Sequence, residues 1–139
     1  MNDVVINKVQ SIQRCIARAR EERRLAGPDF ATDYSRQDAT ILNILRACEQ
    51  AIDLANYVIK AHKMGVPATS AESFELLARQ GVIPPGLEHS LRGMVGFRNI
   101  AVHQYQRLDL AIIEAILAVG LDDLLRFSDA VLAYLRPTF

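Results

Sequence analysis

The residues best suited to chemistry lie in one short string, Arg98-Asn99-Ile100-Ala101-Val102-His103-Gln104-Tyr105. An arginine can grip two phosphate oxygens at once in a planar fork, and an imidazole can move protons near neutral pH. Arg98 and His103 together therefore suit a phosphodiester. The surroundings agree: between residues 76 and 108 the arginines 79, 92, 98 and 107 face a single acid, Glu88, and two of the three histidines, His89 and His103, lie there too. Over the whole chain 16 basic residues balance 16 acidic ones, so any electrostatic site must come from local segregation of this kind. The alternative for such a cluster is a solvated helix face.

Spacing constrains the geometry. Five residues along a continuous helix put Arg98 and His103 about 140° apart, on different faces. They can converge only if the helix ends between them, so we expect an end near Val102 with residues 103–108 in a connecting turn. Arg46, Glu49 and Asp53 recur at helical intervals on an earlier segment that also carries Asp38 and Asn56, and they could form a polar strip facing the motif. Arg18, Arg20, Arg23 and Arg24 surround Glu21 and Glu22, a mixture that reads as a salt-bridged surface. His62, between Lys60 and Lys63, suits a helix C-terminus, where positive charge meets the negative end of the dipole.

The elements that must position these groups are helices. Val5, Val9, Ile12, Ile16 and Ala19 repeat at intervals of four and three, and Gly27-Pro28 should stop that helix near Ala26. Ser35 can cap a longer helix with the stripe Ile41, Leu45, Cys48, Ile52, Ala55 and Ile59, running to about Met64 before Gly65. Thr69 and Glu72 have capping-box spacing and open a short helix with Phe74, Leu76 and Leu77, closed by Gly81. Pro84 and Pro85 start another through Leu87, Leu91, Met94 and Val95. Asp109 caps the last, whose stripe reads Ala111, Ile112, Ile116, Val119, Leu124, Phe127, Val131 and Leu135, bent at Gly120. No segment alternates with period two, so the fold class is all-α: an up-and-down four-helix bundle with one additional short helix.

At 139 residues, half of them hydrophobic, the chain should form a single domain over residues 1–139. The apolar run at residues 110–121 is interrupted by Glu114 and is too short for a membrane span, and the N-terminus lacks a secretory pattern, so a cytoplasmic location is expected. Cys15 and Cys48 lack the spacing of a metal or redox pair and read as core residues. No glycine-rich phosphate cradle supports a general nucleotide-binding domain.

The string resembles the Arg-x4-His-x-Tyr signature of the HepT family, the toxin half of HepT/MntA toxin–antitoxin pairs within the HEPN ribonuclease superfamily. Residues 1–15, 37–56, 73–78 and 94–105 follow that family in order and spacing, so the resemblance covers nearly the whole chain. It implies a metal-independent endoribonuclease without a cofactor, acting on RNA as a homodimer whose motifs meet at a composite site. Arg98 and His103 would be catalytic, Asn99 substrate-positioning, and Arg46, Glu49 and Asp53 supporting. It further implies that an MntA-like nucleotidyltransferase antitoxin silences the nuclease by AMPylation of Tyr105. A noncatalytic helical adaptor that serves as that transferase's docking partner is the alternative.

Overall fold

The computed structural model describes residues 2–136, and helices α1 (Asp3–Ala26), α2 (Tyr34–Ala61), α3 (Ser70–Arg79) and α4 (Pro85–His103) follow one another in sequence. A helical rod follows: α5 (Leu110–Ala115), a π-helical turn (Ile116–Gly120) and α6 (Leu121–Leu135) run on without a break. Single 3-10 turns occupy Gly27–Asp29 and Tyr105–Arg107. Helices α1, α2, α4 and α6 enclose one core, and α3 packs against α2 and α4 as the additional short helix. No helix among the described residues is long and apolar enough to cross a membrane.

The stripes read from the sequence supply most of this core. Val5, Val9, Ile12, Ile16 and Ala19 are buried on α1, and Ile41, Cys48, Ile52, Ala55 and Ile59 on α2, with Leu45 half-buried. Phe74 of α3 meets Phe127 of α6 edge to face at 5.3 Å, a geometry worth about 0.5–1.5 kcal/mol beyond burial itself. Cys48 is buried and Cys15 half-buried against the core. Of arginines 18, 20, 23 and 24 on α1, three form the expected salt bridges, pairing Arg20 with Asp122, Arg23 with Glu114 and Arg24 with Glu21.

Helix α2 departs from expectation at both ends. Helix α2 begins at Tyr34 because Asp33, not Ser35, is the cap: its carboxylate accepts the Arg36 N–H at 3.0 Å. The same helix stops at Ala61, short of Met64, because Lys63 already adopts the left-handed conformation, with φ 52°. Met64 N–H then donates to Ile59 C=O at 2.9 Å and Lys63 N–H to Lys60 C=O at 3.3 Å, the paired bonds of a Schellman closure. Helix α3 ends with the same pair of bonds, Val82 to Leu77 and Gly81 to Ala78, but there the left-handed residue is Gly81.

The C-terminal rod buries Ile116, Leu124, Phe127 and Val131 of the stripe read in the sequence but departs from it elsewhere. Ile113, Ile116, Gly120, Leu121, Leu124, Phe127 and Val131 are buried, whereas Ile112 and Val119 are 47% and 62% exposed. The π-turn explains the change: it takes up one extra residue and shifts the helical phase between Ile116 and Leu121. Gly120 lets α4 come close here, since a Cβ at that position would lie 2.9 Å from Met94 Sδ.

Candidate functional site

Helix α4 carries the motif through its last turn. The helix ends one residue past Val102, close to the expected end, but His103 is its last residue, with Gln104 as C-cap, so the placement of His103 in the connecting turn is not observed. The Gln104 N–H still finds Ile100 C=O at 2.8 Å, so nothing interrupts the ladder before His103. Arg98 and His103 therefore keep the roughly 140° separation of a regular helix. Within one chain they point to different sides.

Arg98 turns toward α2 and α3. Its Nη1 donates to Glu49 Oε1 at 3.3 Å and its Nη2 to Ser70 Oγ at 2.9 Å, which leaves the side chain 21% exposed. Its Nε is buried and has no hydrogen-bond partner among the described residues. An unpaired buried donor on a guanidinium is costly, and an incoming acceptor would relieve it. Of the strip on α2, Glu49 reaches the motif; Arg46 and Asp53 are exposed and make no side-chain hydrogen bond or ion pair among the described residues. Beneath them Cys48 is fully enclosed, and burial pushes its thiol up to about 12.

The local excess of arginine is partly cancelled by folding. Arg92 pairs with Glu88 at 2.8 Å and with Glu75 at 3.4 Å, and Arg98 pairs with Glu49. Asn99, His103 and His89 are exposed.

His103 belongs to the opposite side of α4. It follows Gly96 by seven residues and Ile100 by three, so it continues the face that those residues present. Gly93, Gly96, Ile100, Ile112 and Ile116 line an open apolar groove of about 490 Å³ between α4 and the C-terminal rod. Ile100 and Ile112 are 37% and 47% exposed there. An apolar face of this kind next to a motif histidine is a surface that a second chain can cover.

Tyr105 begins the 3-10 turn just past α4, and its hydroxyl donates to Asp38 Oδ1 on α2. Partial burial and the bond to the Asp38 carboxylate both hold the phenol well above its ordinary value. Asp38, Glu49 and Lys60 recur every eleven residues, three turns with about 20° of drift, so one edge of α2 meets Tyr105, Arg98 and the α3 loop in succession. That period was available in the sequence. Ser70 was not: nothing in its local pattern distinguishes it from other helix-start serines.

The last turns of α4 and the 3-10 turn after it thus carry an arginine, a histidine and a tyrosine on the surface of an all-α bundle. The ribonuclease HepT-like family profile matches residues 12–131, and the chain belongs to that family. It is 42% identical to the mRNA nuclease HepT of Shewanella oneidensis over 133 residues, covering 96% of this chain and 99% of that one. A solved structure described as the tri-AMPylated Shewanella oneidensis HEPN toxin in complex with MNT antitoxin superposes with a TM-score of 0.90 at 42% identity, covering 96% and 99% of the two chains. A toxin–antitoxin crystal structure with AMP-PNP superposes with a TM-score of 0.88 at 40% identity, covering 95% and 99%.

Proposed function

We propose that this protein is the toxin of a HepT/MntA-type pair: an endoribonuclease that needs no metal, works as a homodimer, and is silenced by an MntA-like nucleotidyltransferase that adds AMP to Tyr105. The observation that carries the reading is the unbroken helix from Arg98 to His103, since the two groups can serve one phosphate only when a second chain is added. The apolar groove beside His103 supports packing of that second copy, which would bring two motif ends together.

The chemistry asks for three things. A base takes the proton of a 2′-hydroxyl as it attacks the adjacent phosphate, an acid protonates the departing 5′-oxygen, and positive charge stabilises the transition state. Arg98 supplies the charge, and Asn99 orients the phosphate. The two His103 side chains of a dimer take the base and acid roles, one each. The products are a 2′,3′-cyclic phosphate and a 5′-hydroxyl.

Tyr105 is the acceptor of modification because its hydroxyl is held in place by Asp38 at the surface, two residues from His103. Added phosphate there puts negative charge where RNA phosphate must sit and repels the substrate. The test is cleavage of RNA by unmodified protein in excess EDTA, beside His103→Ala and with the mass of the Tyr105 peptide checked. Cleavage that survives EDTA, ends in cyclic phosphate and vanishes in the variant is expected. Unmodified protein that cleaves no RNA would move the reading to a noncatalytic partner of the transferase.

A further inference from the structure

An open groove of about 670 Å³ lies at the far end of α2, between its last turn, the loop around Val66 and the start of α3. Lys60 and Lys63 line it together with Asn56, Thr69, Ser70 and Ser73, and no carboxylate is among its lining residues. The carboxylate of Glu72, on the same helix, is turned to the Ala68 N–H at 2.7 Å. Both lysines are exposed and form no ion pair among the described residues. In a chain whose charges balance overall, two free cations in an acid-free groove stand out.

The groove adjoins the motif through Ser70. That hydroxyl oxygen accepts from Arg98 Nη2, so its own proton is left to donate into the groove. Asn56 is anchored through its side-chain oxygen, which accepts from Ser73 at 2.6 Å, and its amide N–H groups are likewise left as donors. Ile59, Val66 and Pro67 supply an apolar wall, with Val66 97% exposed. Lys60 follows Glu49 by eleven residues, so it lies about 16 Å along α2 from the Arg98 contact, a few nucleotides' reach for an extended strand.

The closure of α2 adds a second observation. Lys63 takes a left-handed conformation that Gly81 takes in the equivalent closure of α3, and that glycine adopts at little cost. A lysine there places a cation at the groove's edge where backbone preference alone would select glycine.

We propose that this groove is a second phosphate subsite, which holds the single-stranded RNA flanking the scissile linkage. It rests on the ribonuclease reading and extends it: Arg98 meets the reacting phosphate, while Lys60 and Lys63 neutralise backbone phosphates farther along the strand, with Asn56 and Ser70 as neutral donors between them. Charge favours RNA over a protein occupant, because every donor in the groove is cationic or neutral and the backbone it would meet is uniformly negative.

The test compares the full-length wild type with Lys63→Gly and with the double variant Lys60→Gln/Lys63→Gly. Each is titrated with a labelled single-stranded RNA blocked at its 2′-hydroxyls, over a range of salt, and assayed for cleavage of the unblocked strand. Each lysine that neutralises a phosphate contributes about 0.7 to the slope of log affinity against log salt. The double variant should therefore show a slope shallower by about 1.4, affinity lower by roughly fivefold to tenfold at low salt, and a cleavage loss that falls on KM rather than kcat. Lys63→Gly should melt at or above the wild-type temperature, which separates weaker binding from misfolding. Unchanged slope and affinity in the double variant, with wild type binding normally, would overturn the subsite. So would a loss confined to capture of the nucleotidyltransferase, which would make the groove a protein contact. If wild type neither binds nor cleaves RNA, the ribonuclease reading fails first and the subsite falls with it.

Discussion

Replacing Arg98 separates what the guanidinium does for the fold from what it does for a phosphate. In the fold it makes one ion pair with Glu49, whose side chain is 42% exposed, and one hydrogen bond to Ser70. A solvent-screened pair contributes about 0.2–1 kcal/mol and a single hydrogen bond about 1 kcal/mol. Arg98→Ala should therefore cost about 1–2 kcal/mol, a drop in melting temperature of roughly 4–8 °C for a chain of this size. Removing a charge that meets the transition state costs about 3–4 kcal/mol, a hundredfold to a thousandfold in rate. Arg98→Lys divides the two effects. A lysine is a point charge that can satisfy Glu49 or Ser70 but cannot present a fork, so it should recover about half of the lost stability while cleavage stays at least roughly tenfold below wild type. Thermal unfolding and single-turnover cleavage at a temperature where every variant is folded read both quantities. Cleavage by Arg98→Lys within about threefold of wild type would refute the fork; a wild-type melting temperature in Arg98→Ala would refute the contacts to Glu49 and Ser70.

Three further outcomes follow from the geometry. His103 is exposed at the last turn of α4, so His103→Ala should change stability by no more than about 0.5 kcal/mol while abolishing cleavage; a large loss of stability would show that the ring packs somewhere unaccounted for. Tyr105, whose phenol is raised by partial burial and the bond to Asp38, should titrate above the ordinary value near 10, and Asp38→Asn should bring it part of the way back. The raised value favours the protonated form, so the stability it contributes is complete below about pH 10 and fades as pH climbs through the folded-state pKa; an ultraviolet titration with no late tyrosine would contradict this. Gly120→Val should cost about 1–3 kcal/mol by driving a branched side chain into Met94, and Gly120→Ala less because the methionine can yield; an unshifted urea midpoint for the valine variant would show that the helices can part freely.

Most of the fold was legible because apolar residues at helical intervals leave little freedom: the stripes of α1 and α2 could form only helices, and their burial follows from the spacing. Cap chemistry was nearly as informative at Thr69 and Asp109, whose side chains accept the N–H groups of Glu72 and Ala111. It misplaced the start of α2 because Asp33 and Ser35 are both good caps and only tertiary packing chooses between them. The end of α2 was hidden because a lysine does a glycine's work at position 63. At the candidate site, residue types were readable but contacts were not. Asp38 and Glu49 find their partners 67 and 49 positions away, and Ser70 finds Arg98 across 28. Such pairings depend on how helices pack, which no local pattern carries.

The π-turn has a bearing on how the chain can change length. From Ile113 the buried positions run to Ile116, then double up at Gly120 and Leu121 across the π-turn, before resuming with Leu124, Ser128 and Val131 at intervals of three and four. Remove one residue between Ile116 and Gly120 and the sequence becomes an uninterrupted heptad helix, with every later side chain keeping its heading. The rod thus holds one spare residue. A single deletion there should be absorbed by tightening the turn, whereas the same deletion within residues 121–135 would swing everything beyond it by about 100° and pull Val131 out of the core. Length variation among relatives should accordingly be permitted at this turn and purged along the remainder of the rod.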